Sequence, residues 1–273
     1  MRISSSLAMT VCAMALSGAA LASPVIYNTS LGNISTFDNV ITGTGTTVAT
    51  AKVLNGQNVY SYTDKNGNAA TVTVTRTQGG TAAAPSGGYT SGTKSLSGSV
   101  WDISPSNSAG AGGGANGKPN IDGFYSGLTF TFSSAVNAFG FEIGDWATCC
   151  FTGSSRSAAV QSAYGVPATG SGLWIAFDGG AATLPANATS ASSNPGIVAD
   201  NSFTNFIGAI DASSTFSKVT FWGDGFGEFL VAGGTLRFGS VPLGSVGGPL
   251  PEPASLALVG LALAGLALSR RRA

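Results

Sequence analysis

Histidine is absent from all 273 residues, and charged side chains make up only 9% of them. Each scarcity excludes something. Without histidine there is no Ser-His-Asp or Cys-His relay, the commonest general base is missing, and most transition-metal sites lose their usual ligand. Cysteine is nearly as rare: Cys12 stands near the start, and Cys149 and Cys150 are adjacent. Two neighbouring thiols without histidine cannot make a usual zinc site. They can close a strained vicinal disulfide, pair with another chain or stay free. The few charges are balanced at twelve basic and twelve acidic, so nucleic acid, which needs a basic footprint, is not an expected partner.

What the chain has instead is glycine, forty residues of it, with abundant Ser, Thr, Ala and Asn. That composition is poor for long helices and typical of neutral, hydroxyl-rich β surfaces. The apolar runs are concentrated at the ends. Arg2 precedes an apolar core from Leu7 to Leu16, and Ala20-Leu21-Ala22 offers a small-x-small site before Ser23-Pro24. This order predicts a signal peptide over 1–22, cut between Ala22 and Ser23 by signal peptidase after passage through the general secretory translocon. Cys12 lies inside the apolar core, so a lipid-anchored lipoprotein is not expected.

At the other end, Pro251-Glu252-Pro253 leads into an apolar run from Ala254 to Leu268, followed by Arg270, Arg271 and Arg272. A short tripeptide, an apolar helix and a cationic stop suit a bilayer, with the arginines held at the cytoplasmic face. Glu252 between two prolines is kept extended and outside the helix. Fifteen apolar residues at about 1.5 Å each reach about 22 Å, short of a hydrocarbon core of about 30 Å. A marginal transmembrane helix over 254–268 suits a segment that pauses in the inner membrane until it is cut. Over 249–273 the arrangement resembles the PEP-CTERM sorting tail of Gram-negative bacteria that make extracellular polysaccharide. The resemblance implies exosortase, a membrane protease-transpeptidase, as the partner that reads and processes the tail. It also implies a destination at the cell surface or in the extracellular matrix.

Between these segments the body, 23–248, keeps eight basic and eleven acidic residues. Its length is enough for one large β domain or two small ones. Val59–Tyr62 and Thr71–Thr75 alternate with period two around Asn66-Gly67, which predicts a hairpin. Val48–Leu54 is expected to be a strand beside it. Leu128–Phe132 and Phe139–Ile143 also alternate, and the change of parity between Ala138 and Phe139 fits a bulge there. Further strands are expected at 173–177, 206–210, 219–222, 229–231 and 235–238. The Gly/Ser/Asn-rich stretch 104–120 reads as a flexible break or a boundary. The expected fold is all-β, a β-sandwich or jelly-roll-like body. The patterns around 129–141 and 206–221 resemble strand pairs of PEP-CTERM protein bodies, some of which resemble carbohydrate-binding jelly rolls. That likeness carries no site residue.

For chemistry, paired acids are what remains. Glu142 and Asp145 are three apart, and Asp224 and Glu228 share a glycine-rich stretch; both pairs also read as solvated turn acids. Trp146 beside Asp145 and Trp222 near Asp224 could stack on a sugar ring and bond its hydroxyls, or belong to the core. No catalytic residue, metal site or cofactor is expected. The function expected is a non-catalytic structural or adhesive protein of the exopolysaccharide or biofilm layer. The alternatives are a carbohydrate-binding module with extracellular polysaccharide as partner and, behind it, a secreted glycoside hydrolase.

Overall fold

The structure is a computed structural model that describes residues 24–77, 81–91, 94–96, 98–103, 127–145, 158–180, 182–189, 203–223 and 230–246. These fall within one compact unit, Ser23–Gly248. The two end segments and the stretch 104–120 lie outside the described residues.

Two antiparallel sheets carry the body. The first runs β1 (Val25–Ser30), β12 (Asn205–Ile210), β9 (Ala138–Asp145), β14 (Leu230–Gly239) and β2 (Ala49–Lys52), and β7 (Val100–Ile103) also pairs with β14. The second runs β11 (Thr183–Ala188), β10 (Ser171–Phe177), β13 (Phe216–Gly223), β8 (Gly127–Val136), β4 (Ala69–Arg76) and β3 (Val59–Thr63). A short ribbon pairs β5 (Tyr89–Ser91) with β6 (Lys94–Leu96). The all-β expectation holds.

Period two explains the core. From the second sheet, Tyr60, Tyr62, Val72, Val74, Phe130, Phe132, Val219 and Phe221 turn inward; from the first, Phe139, Phe141, Ile143, Ile207, Leu236 and Phe238 meet them. Sheets packed face to face interdigitate side chains in this way. Edge-to-face and tilted ring pairs fill the middle, with Phe141 and Phe221 at 4.7 Å and 87°. Such burial is the main stabilising contribution, at roughly 25 cal/mol per Å² of apolar surface.

The hairpin of β3 and β4 forms as expected, with Thr63 opposite Ala69 and Gly67 at φ 81°. Its connection is five residues and not a two-residue turn, because Asp64 organises it by accepting from the Asn66 and Asn68 amides at 2.9 Å. Three expectations need correction. The strand within 48–54 does not pair with the hairpin: β2 pairs with β14 in the opposite sheet, Thr50 facing Arg237. The parity change at 138–139 is a passage from one sheet to the other. β8 ends in the second sheet at Val136, β9 begins in the first at Ala138, and crossing the sandwich edge turns inward positions from even to odd. The two segments expected at 229–231 and 235–238 form one strand, β14, broken only in register.

Asn137 sits at that crossing with 1% of its surface exposed. Its side-chain amide donates to the Val241 carbonyl at 2.8 Å, and its side-chain oxygen accepts from the Val241 amide at 2.7 Å. Its own carbonyl accepts from the Asp211 amide at 2.7 Å. A buried amide is tolerated because its polar atoms are paired.

The outer faces carry two short helices. α1 (Ser35–Gly43) lays Phe37 and Ile41, four apart and fully buried, over Phe206, Ile210 and Ala138 of the first sheet. Its sequence, STFDNVITG, holds no strong helix former, so packing and not intrinsic propensity holds it. α2 (Ala158–Tyr164) ends at Tyr164, which packs edge-on to Trp174 on the outer face of the second sheet.

Candidate functional site

The outer face of the first sheet offers the most chemistry among the described residues. α1 covers one part of it. A second apolar cluster, Leu96, Val100, Phe203 and Val231, covers another. Polar groups occupy the strip that carries Arg237, Glu142, Thr235 and Lys52.

A break in strand register makes this strip. Between the pairs Gly233↔Glu142 and Arg237↔Gly140, β14 advances four residues while β9 advances two. The surplus is a bulge, which takes backbone groups out of the ladder. Gly234 sits there at φ 64°. Thr235 turns its amide to the Glu142 side chain, donating to Oε1 at 3.1 Å. A Cβ on Gly234 would collide with the Glu142 carboxyl, so glycine supplies both the left-handed backbone and the seat for the acid. Burial pushes the Glu142 carboxyl above the usual range; the hydrogen bonds from Thr235 and the Arg237 guanidinium pull the other way without cancelling it.

Arg237 also pairs with Asp38 of α1, Nη1 to Oδ2 at 2.8 Å, with both side chains mostly covered. The contact is single: Asp38 Oδ1 and Arg237 Nε are buried without a hydrogen-bond partner. Desolvation therefore dominates and raises the Asp38 carboxyl, with Arg237 opposing.

Beside Glu142 opens a cleft of about 440 Å³, lined among others by Lys52, Leu54, Ser99, Phe203 and Thr235. Lys52 is exposed, and Leu54 is 44% exposed. Ser99 Oγ accepts from the Asn55 amide at 2.9 Å, which fixes the rim. A second cleft of about 330 Å³ lies at Thr46, Thr47, Asp64, Lys65 and Ser240. There the acid is already engaged: Asp64 takes the two turn amides on Oδ1 and the Ser134 hydroxyl on Oδ2 at 3.0 Å. That carboxylate organises a turn.

The residues singled out from sequence are placed as follows. Trp222 lies in β13 with none of its side chain exposed, stacked on Trp174 at 6.4 Å and 9°. Its ring is therefore covered and not a surface platform. Another tryptophan, Trp101, is equally buried, its indole N–H donating to the Ala83 carbonyl at 2.9 Å. Trp146, Asp224, Glu228, Cys149 and Cys150 lie outside the described residues, as does the side chain of Asp145 at the end of β9. So do Ala22, Ser23, Pro251, Glu252, Pro253, Arg270, Arg271 and Arg272. Glu142 and Asp145 share one strand, where a spacing of three does not set residues on one face as it would on a helix. No group of three potential metal ligands occurs among the described residues.

The partners of Glu142 were invisible in the sequence. Thr235 lies 93 positions away, and the one signal was Gly233-Gly234 inside an otherwise apolar strand pattern, the usual mark of a bulge.

No curated protein and no solved structure matches the chain. A family model described as the PEP-CTERM protein-sorting motif matches residues 249–272. The chain therefore carries a PEP-CTERM sorting motif, which implies an exported protein of the cell envelope or surface with exosortase as its processing partner.

Proposed function

We propose that this protein is a non-catalytic structural component of the cell surface or extracellular matrix, in the exopolysaccharide or biofilm layer. It enters the secretory route through residues 1–22 and is tethered transiently in the inner membrane by 254–268. Exosortase then removes or transfers the tail. The observation that carries this reading is the sorting motif over 249–272, which ties the chain to that processing partner. Two features of the chain support a structural role. It has no histidine to serve as a base, and Asp64, Asp178 and Asp211 organise turns while Asp38 is held in an ion pair. Inverting hydrolysis needs two carboxyls about 6.5–9.5 Å apart and retaining hydrolysis about 5–5.5 Å.

The test is the intact mass of the protein from its own host, with cell-associated and released fractions measured separately. Released material should end near Pro251–Pro253 and lack Arg270–Arg272. Glu252→Ala should abolish that truncation. A chain intact to Ala273 in both fractions would overturn the processed-tail reading.

A further inference from the structure

We infer that the cleft beside Glu142 is a binding site for neutral saccharide units, recognised through their hydroxyl groups. This goes beyond a structural role, because it gives the body a specific ligand in the layer it enters.

The argument starts from capacity. An ionised carboxylate offers about four lone-pair positions. All the described hydrogen bonds to Glu142 come from one residue, Thr235, so acceptor positions remain on a side chain that lines the cleft. A ligand there must donate O–H or N–H. Lys52, at the rim of the same cleft, only donates, so the ligand must also accept. Ser99 Oγ already accepts the Asn55 amide, so its own proton is available to a second acceptor.

A hydroxyl donates and accepts through one oxygen, so a ligand carrying several of them meets both demands in a small space. The lining is also aliphatic and aromatic, with Leu54 exposed and Phe203 part of it, and suits the C–H face of a sugar ring. One acid and one ammonium leave the cleft without net charge, which selects against strongly anionic ligands. Its 440 Å³ lies within the roughly 300–1,000 Å³ of small-molecule pockets. The seat is fixed in advance: the Gly234 bulge and the Thr235 amide hold the carboxyl, so binding does not have to order it.

The experiment uses the full chain in a sugar-free zwitterionic detergent. Calorimetry measures binding of neutral gluco-, galacto- and manno-hexasaccharides, with alginate oligomers and calcium chloride as separate titrants. At least one neutral hexasaccharide should bind. Glu142→Gln should weaken that binding about tenfold or more, because a charge-assisted hydrogen bond is lost. Lys52→Ala, at an exposed position that the fold does not need, should weaken it about threefold or more. Thermal melts of both variants check that the body remains folded. Neutral saccharide binding unchanged in both variants would place the site elsewhere and overturn the assignment. Binding of alginate alone, of calcium alone, or of none of the titrants would overturn it as well.

Discussion

Three residues show how little freedom the body has. Asn137 holds the passage between the sheets with paired hydrogen bonds to Val241. Asn137→Ala removes both and leaves a buried amide and carbonyl unsatisfied, so urea titration should show a loss of about 2–4 kcal/mol. Asn137→Asp should cost more at neutral pH than at pH 4, because the ionised oxygen would face the Val241 carbonyl. Glu142 gives a different signature. Its folded pKa is raised, so its contribution is fully present below the unfolded value and is lost as pH rises through the folded one. Glu142→Gln removes this dependence. Relative to the parent, its melting temperature should climb between pH 4 and pH 7; a difference that stays flat or falls would contradict the assignment. Asp211 runs the other way. Burial alone would raise it, but hydrogen bonds from Ser213 and Ser214 together hold it below the usual range. Its contribution is present above the unfolded value and fades as pH falls through the folded one.

At the scale of elements, α1 and the glycine pair beneath it form one assembly. Gly140 of β9 faces Gly208 of β12, and a Cβ on either would run into the Phe206 ring. The ring lies across both strands where side chains would otherwise stand, and Phe37 packs on it at 5.0 Å. Gly140→Ala should cost about 1–3 kcal/mol by overpacking. Combining it with Phe206→Leu should recover part of that loss in a double-mutant cycle. Phe37→Ala should cost about 3–5 kcal/mol and loosen α1, readable as lost amide protection over Ser35–Gly43. None of this was legible in sequence. Period two announced β3, β4, β8, β9, β10, β12 and β13 because their inward residues are large and regular. α1 was missed because two buried positions in nine residues of weak propensity make no pattern that stands out. β1, Val25–Ser30, was missed because Asn28, Thr29 and Ser30 dilute its alternation, although every residue in it pairs with β12. Aromatic residues beside acids suggested a surface site, yet Trp222 is core to the outer layer. The seat of Glu142 depends on contacts 93 positions apart, and single-sequence patterns carry no such information.

Across the molecule, sequence order and spatial order are far apart. β1 pairs with β12 about 180 positions later, with Val25 opposite Ile210. β14 is the last strand among the described residues, yet β9, β7 and β2 all pair with it. Truncation after Gly223 should therefore leave no cooperative thermal transition, since the first sheet loses the strand that joins three of its members. Chains with so many distant pairings fold slowly, because loops must close before contacts reward them. In a chain that emerges N-terminus first, β2, β7 and β9 wait unpaired along that edge until residue 239 arrives. The sorting motif begins at 249, ten residues later. Completion of the sheet and presentation of the address thus fall at nearly the same moment of delivery. The placement of β14 acts as a clock: the sheet can close only when almost all of the chain up to the sorting motif is present.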